Sequence, residues 1–206
     1  MFLKCLQVGM LASNCYIFGD EKNKKAVIID PGGNAEDILN IIEQEGFTVD
    51  LILLTHGHVD HVAALDEVRV ATGARVAIHE NDASMLISPE QNLSEYMGTL
   101  ISLSPVEIKL KGNEKLAAGD LTIEIIHTPG HTPGSISIKV GSIIFTGDTL
   151  FAGSIGRSDF PGGSFEQLID SIKNKLLVQD DDVIIYPGHG IKSTIIQEKA
   201  TNPFLR

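Results

Sequence analysis

The stretch Leu51-Ile-Leu-Leu-Thr-His-Gly-His-Val-Asp-His61 decides how the rest of the chain is read. Leu51 to Leu54 is a continuous apolar run, as expected of a short strand buried on both faces. Directly after it, His56, His58, Asp60 and His61 fall within six positions. Imidazole and carboxylate are metal-ligand types, and Gly57 lets the backbone turn between the first two histidines. His56 and His58 can aim at one point from an extended turn. Asp60 and His61 open a helix and can aim at a second point close by. An open catalytic ion keeps about three protein ligands, so four donors in so short a stretch point to two adjacent ions. Read instead as a solvated loop, the stretch would leave four polar groups beside a buried strand in need of partners.

Toward the N-terminus, Phe2 to Val8 alternates apolar and polar residues as an edge strand does, and Cys15 to Phe18 returns from the Gly9–Asn14 turn as a hairpin. Ala26 to Ile29 is a third strand, stopped by Asp30-Pro-Gly-Gly. Asn34 is placed to cap a helix with Ile38, Leu39, Ile41 and Ile42 on its apolar face and Gly46 at its end. A strand from Val49 to Leu54, a helix from His61 to Thr72 and a strand from Arg75 to Ile78 continue the alternation, which is the pattern of a layered α/β fold.

From His79 to Leu103 periodicity loosens, and an irregular covering segment is expected. Strands over Val106–Leu110, Glu114–Leu116 and Leu121–Ile126 lead into the tandem His127-Thr-Pro-Gly-His131-Thr-Pro-Gly. A hairpin, Ser135–Val140 with Ser142–Thr146, ends at Gly147-Asp148-Thr149, and a glycine-rich loop follows from Gly153 to Gly163. Ser164 and Gln167 have the spacing of a capping box for a helix running to Leu177. Val183 to Tyr186 closes at Pro187-Gly-His189-Gly, and Ser193 to Lys199 forms a final helix. No linker or low-complexity tract divides the chain, so residues 1–206 are expected to form a single domain. His56 to His61, His127 or His131, Asp148 and His189 each follow a strand, where sites in layered α/β proteins collect. Spacing alone does not choose between His127 and His131.

The 206 residues are 43% hydrophobic and 21% charged, with a net charge of −11. So acidic a chain lacks the Lys/Arg surface that phosphate-backbone binding needs, so no nucleic-acid partner is expected. No apolar run approaches the roughly 20 residues of a membrane span. The N-terminus lacks the pattern of a secretory signal, and a cytoplasmic location follows as the expectation. Cys5 and Cys15 read as small buried hydrophobes rather than a disulfide.

Taken together, Thr55-His-Gly-His-Val-Asp-His61, Thr128-Pro-Gly-His-Thr-Pro-Gly134, Phe145-Thr-Gly-Asp-Thr149 and Pro187-Gly-His189 resemble the metallo-β-lactamase superfamily along nearly the whole chain. The resemblance implies a four-layer αββα sandwich with metals at one edge. It selects His131 and implies that His56, His58 and His131 hold one divalent ion, Asp60, His61 and His189 a second, with Asp148 between them. Zinc is the first expectation, with iron or manganese also compatible.

Within the superfamily the chain is similar to the glyoxalase II (hydroxyacylglutathione hydrolase) group, because Gly153-Ser-Ile-Gly-Arg-Ser-Asp159 matches the loop after the bridging aspartate there. The C-terminal helical domain of fuller members, which holds glutathione, has no counterpart before Arg206. The implied activity is hydrolysis of a small-molecule thioester such as S-lactoylglutathione by a metal-bridging hydroxide that Asp60 orients. A persulfide dioxygenase using one iron, and a lactonase or other esterase, are the alternatives. The lactamase branch fits less well.

Arg157 is placed either to meet an anionic substrate group or to anchor its loop through an ion pair. Asp30 either orients a ligand histidine or caps its turn. His127 reads equally as support for a ligand and as part of its turn, His79 as structural, and Tyr186 as core packing.

Overall fold

The computed structural model describes Met1–Arg206 and is built on two facing six-stranded sheets. In the first, β1 (Phe2–Val8), β2 (Ser13–Asp20) and β3 (Lys25–Ile29) form an antiparallel meander. Strands β4 (Thr48–Leu53), β5 (Arg75–His79) and β6 (Ile108–Leu110) add to it in parallel. The crossovers that parallel pairing demands carry helices α1 (Ala35–Glu45), α2 (Val59–Val62) and α3 (Leu65–Thr72). The second sheet contains β7 (Lys115–Ala118), β8 (Leu121–His127), β9 (Ile136–Val140) and β10 (Ile143–Gly147). A small hairpin follows, β11 (Leu150–Phe151) and β12 (Ser154–Ile155), and then helix α4 (Phe165–Ser171), which continues as a π-helical turn through Leu176. Strand β13 (Ile184–Pro187) pairs in parallel with β10, edge strand β14 (Ser193–Thr194) pairs with β13, and α5 (Ile195–Thr201) covers that end.

Alternation along the strands builds the layers. Tyr16, Phe18, Val27, Ile29, Leu51 and Leu53 point between the sheets and meet Ile123, Ile125, Ile136, Ile138 and Phe145. Ile17, Ile28 and Ile52 point the other way, onto Ile38, Ile42, Leu65 and Val68. On the far side, Ile144 and Ile185 pack on Leu168, Ile172, Leu176 and Ile195. The result is the αββα order. Because β4 is covered on both faces, its sequence is apolar without a break from Leu51 onward. No helix is long and apolar enough to cross a membrane.

Several local expectations are corrected. Asn34 does not cap α1 with its side chain: its backbone is left-handed (φ 51°), and its side-chain carbonyl accepts from Gly9 N at 2.9 Å. The helix expected over His61–Thr72 is two pieces, because the Ala64 N–H leaves the helical ladder to donate to Pro31 O at 3.0 Å. The helix from Ser164 is α-helical only to Ser171, although Ser164 does accept from Gln167 N at 3.3 Å. Cys5 is exposed on edge strand β1; only Cys15 is buried, and both are free thiols.

Candidate metal centre

The carboxyl ends of β4, β8, β10 and β13 lie together at one edge of the sandwich, and the polar residues after them converge. His56, His58 and His131 form one group, and Asp60, His61 and His189 a second, each with donor atoms within 4.8 Å of one another. In the first, His58 Nδ1 and His131 Nε2 stand 2.9 Å apart, and His131 Nε2 and His56 Nε2 stand 3.3 Å apart. In the second, Asp60 Oδ2 lies 3.1 Å from His189 Nε2 and 3.5 Å from His61 Nε2. Asp148 sits between them: Oδ2 is 3.7 Å from both His131 Nε2 and His189 Nε2, and Oδ1 is 3.4 Å from His61 Nε2. All seven residues expected from the sequence therefore meet in one place.

The outer hydrogen bonds decide which ring nitrogens face inward. His131 Nδ1 donates to the Arg157 carbonyl at 2.7 Å, so in the neutral ring Nε2 carries a lone pair. Thr55 Oγ donates to Asp30 Oδ2 at 2.6 Å, so it accepts from His56 Nδ1 at 3.1 Å and leaves that ring's Nε2 a lone pair too. Two lone pairs facing each other at 3.3 Å repel unless a cation lies between them. His61 Nδ1 contacts Asp30 Oδ2 at 2.9 Å, while its Nε2 and Asp148 Oδ1 are fully buried with no hydrogen-bond partner. In the neutral ring, with Nδ1 donating to Asp30, both atoms are acceptors, so their 3.4 Å contact is no hydrogen bond. Two orphaned buried lone-pair atoms, both aimed at one spot, fit a metal-ion site.

The electrostatics agree. Burial, reinforced by neighbouring imidazoles, pushes His56 well below its ordinary range and His58 down to about 3. Burial also lowers His131 against the pull of Asp148. Burial opposes ionisation of Asp60 and Asp148, but the imidazoles around them, His61 first, outweigh it and both are held low. Burial would lower His61 as well, yet the Asp148 and Asp60 charges raise it, and the Asp60 hydrogen bond raises His189. His56, His58 and His131 are thus neutral beside ionised carboxylates, the state that receives a divalent cation, whereas a cation in the second group would displace protons from His61 and His189.

Outside this cluster, Asp30 proves to be an orienting group: besides His61 and the Thr55 hydroxyl, it accepts from Thr55 N at 2.7 Å. His127 does not enter the centre. It stacks on buried His79 (ring centroids 4.0 Å apart), and its Nε2 donates to Pro133 O at 3.0 Å. Tyr186 packs against Tyr16 and Phe145. Arg157 is exposed, forms a bidentate pair with Asp159 (both bonds 2.9 Å) and lies 4.1 Å over the Phe160 ring. The loop-anchoring reading thus describes its contacts, although it also borders the cavity below.

Three supporting residues carry no signal in the sequence. Ser13 donates to Asp60 Oδ2 at 2.9 Å. Asp82, fully buried, accepts from Thr132 Oγ at 2.6 Å, from Gly134 N at 2.7 Å and from the backbone of Gly57, so it ties the His56/His58 turn to the His131 turn. Glu198, also buried, accepts from Gly153 N at 2.9 Å and fixes the start of the glycine-rich loop. None belongs to a local motif, and an isolated Ser, Asp or Glu does not stand out from its neighbours.

A cavity of about 370 Å³ opens over the centre, with His58, Asp60, His131, Asp148 and His189 on its floor. Its walls come from Leu11 at the first hairpin, Leu93, Tyr96 and Met97 in the covering segment, and Phe151, Ile155 and Phe160 around the glycine-rich loop.

This fold and this site define a class, and comparison with known proteins agrees. A family model of the metallo-beta-lactamase superfamily matches residues 8–189, and the chain belongs to that superfamily. Its members are metal-dependent hydrolases that bind divalent ions. Among relatives, hydroxyacylglutathione hydrolase GloC of Haemophilus influenzae is 42% identical over 210 residues, covering 100% of this chain and 98% of its own. Among solved structures, the BLEG-1 B3 metallo-beta-lactamase superposes with a TM-score of 0.95 at 38% identity over 99% of each chain. TTHA1623 in a di-iron-bound form superposes at 0.86 with 33% identity over 100% of each.

Proposed function

We propose that this chain is a thioester hydrolase of the glyoxalase II type, with His56, His58, Asp60, His61, His131, Asp148 and His189 holding two divalent ions, zinc first. The observation that carries the reading is the position of Asp148, whose two oxygens face both histidine groups across the floor of an open cavity. The GloC relative supports the thioester class.

Two adjacent divalent ions supply Lewis acidity, polarising a carbonyl and lowering the pKa of water toward neutrality. The chain's own residues do the rest. Asp60 is held ionised, is aligned by the Ser13 hydroxyl, and borders the cavity. It accepts a hydrogen bond from an entering water and turns that water's lone pair toward the acyl carbon. Asp30, Thr55 and the Arg157 carbonyl fix the rings of His61, His56 and His131 so that no reorganisation is needed during the reaction. The apolar walls exclude bulk water around the thioester. No protein nucleophile is needed; Cys5 and Cys15 do not border the cavity.

The test is an assay of metal-analysed protein, loaded with zinc or with iron, on S-lactoylglutathione and smaller thioesters, beside a β-lactam and beside oxygen uptake with glutathione persulfide. Thioester loss supports the reading. Oxygen uptake by the iron form, or β-lactam opening, without thioester turnover overturns it.

A further inference from the structure

Apart from the His/Asp cluster on its floor, the cavity has a single charged side chain, Arg157. All eight remaining lining residues are hydrophobic, and they come from separate segments of the chain. Leu11 and Tyr96 line it while 53% and 74% exposed, so large apolar surfaces face water at its mouth. Such a rim gains when an apolar ligand displaces that water.

Charge argues the same way. Glutathione carries two carboxylates, and a carboxylate removed from water needs a cationic or multiply donating partner. The one side-chain cation here has one of its two bidentate edges taken: Arg157 Nε and Nη2 both donate to Asp159 at 2.9 Å, and the guanidinium plane rests on Phe160. A substrate carboxylate on the remaining Nη1/Nη2 edge would share the guanidinium with Asp159, whose charge already neutralises it and would stand close to the newcomer. The chain's net charge of −11 adds a repulsive field for anions.

We propose, on the basis of the thioester-hydrolase reading above, that the cavity selects thioesters of uncharged, apolar thiols over those of glutathione. The aryl or alkyl group of the thiol lies between Leu11, Tyr96, Met97 and Phe160, and the acyl carbon reaches the His/Asp floor.

Binding of thioethers, which cannot be hydrolysed, reads this directly. Calorimetric titration of the metal-loaded protein compares benzyl 2-hydroxyethyl sulfide with S-methylglutathione. The neutral aryl compound is expected to bind at least about tenfold more tightly. Leu11→Ser combined with Tyr96→Ser, both at exposed positions, should weaken it about tenfold and leave S-methylglutathione within about twofold; a thermal melt checks that the variant is folded. S-methylglutathione binding as tightly or more tightly overturns the proposal, as does an unchanged benzyl affinity in the variant. Hydrolysis is scored separately. The expected binding preference without turnover of any thioester sinks the proposed function and leaves this inference standing. Turnover together with a glutathione preference does the reverse.

Discussion

Asp30 Oδ2 lies 2.9 Å from His61 Nδ1, and that bond decides which nitrogen of His61 faces the metal centre. The carboxylate can only accept, so Nδ1 carries the proton and Nε2 is left as a donor atom for a cation. Asp30→Asn tests this contact together with the Thr55 hydroxyl bond that shares Oδ2 and sets the His56 ring. The backbone at position 30 is left-handed (φ 52°), a conformation Asn tolerates best after Gly. The Asn carbonyl can still accept from Thr55 N, while its NH₂ faces His61 and drives the ring to the other tautomer. The variant should stay folded and bind zinc roughly 10- to 100-fold more weakly. Competition titration with a chelating dye measures it; wild-type affinity would remove Asp30 from the orienting role.

Asp148 faces both donor groups, whereas each histidine serves one. Asp148→Ala should therefore lose more metal than His189→Ala or His131→Ala. His56→Ala and His131→Ala should deplete mainly one position, and His61→Ala and His189→Ala the other. Mass-spectrometric metal stoichiometry decides it, and equal loss across the set argues against a shared carboxylate.

The residues in that second test were legible from the sequence, and the reason is physical. A polar metal-ligand residue directly after an apolar strand is costly to bury unless it holds something. His56 to His61, Asp148 and His189 all stand in that position; His127 lies nearer its strand than His131, and only the family resemblance selected His131. The αββα layering was legible from the same strands, because those buried on both faces, such as β4, carry apolar runs. The cavity wall was not. Leu11, Tyr96 and Met97 lie on a hairpin tip and in an irregular segment, where no periodicity says which way a side chain points. Local rules also failed where a distant partner competed: Gly9 took the Asn34 side chain, and Pro31 took the Ala64 N–H.

Asp82 is a third test, this time of stability. Burial pushes its carboxyl up from 3.8 to about 6, against the hydrogen bonds from Thr132, Gly134 and Gly57. The folded state therefore holds a proton there that the unfolded chain has released. Between about pH 4 and pH 6 the folded state binds more protons, so Asp82's contribution falls as pH rises, by about 3 kcal/mol in all. Compared with Asp82→Asn, metal-free wild-type protein should gain stability as pH drops from 7 toward 4. Urea unfolding of the pair at several pH values tests this. A difference between them that does not change with pH would mean that Asp82 is ionised throughout.

Backbone presses directly on the metal centre at Gly188, which gives the sharpest test of how tightly the centre is packed. A Cβ added there would fall inside van der Waals contact of Asp148 Oδ1 and His61 Cε1. The glycine cannot retreat, because Gly188 N donates to Gly147 O at 2.8 Å and Gly188 O accepts from Asn14 N at 2.7 Å. The Asp148 and His61 side chains must move instead, and a displacement on the order of an ångström at a positioned catalytic group costs about 100-fold in rate. Gly190, two residues on, is the control. It has a positive φ of 76° but open space where a Cβ would go, so Gly190→Ala should cost about 1–2 kcal/mol of strain and leave the metal centre alone. Gly188→Ala is expected to melt near the wild-type temperature once metal-free, to bind less than the full metal complement and to lose hydrolysis. Gly190→Ala should melt lower, yet keep its metal and its activity. Full metal content in Gly188→Ala would show that Asp148 and His61 have room to give, and that the centre is looser than this packing implies.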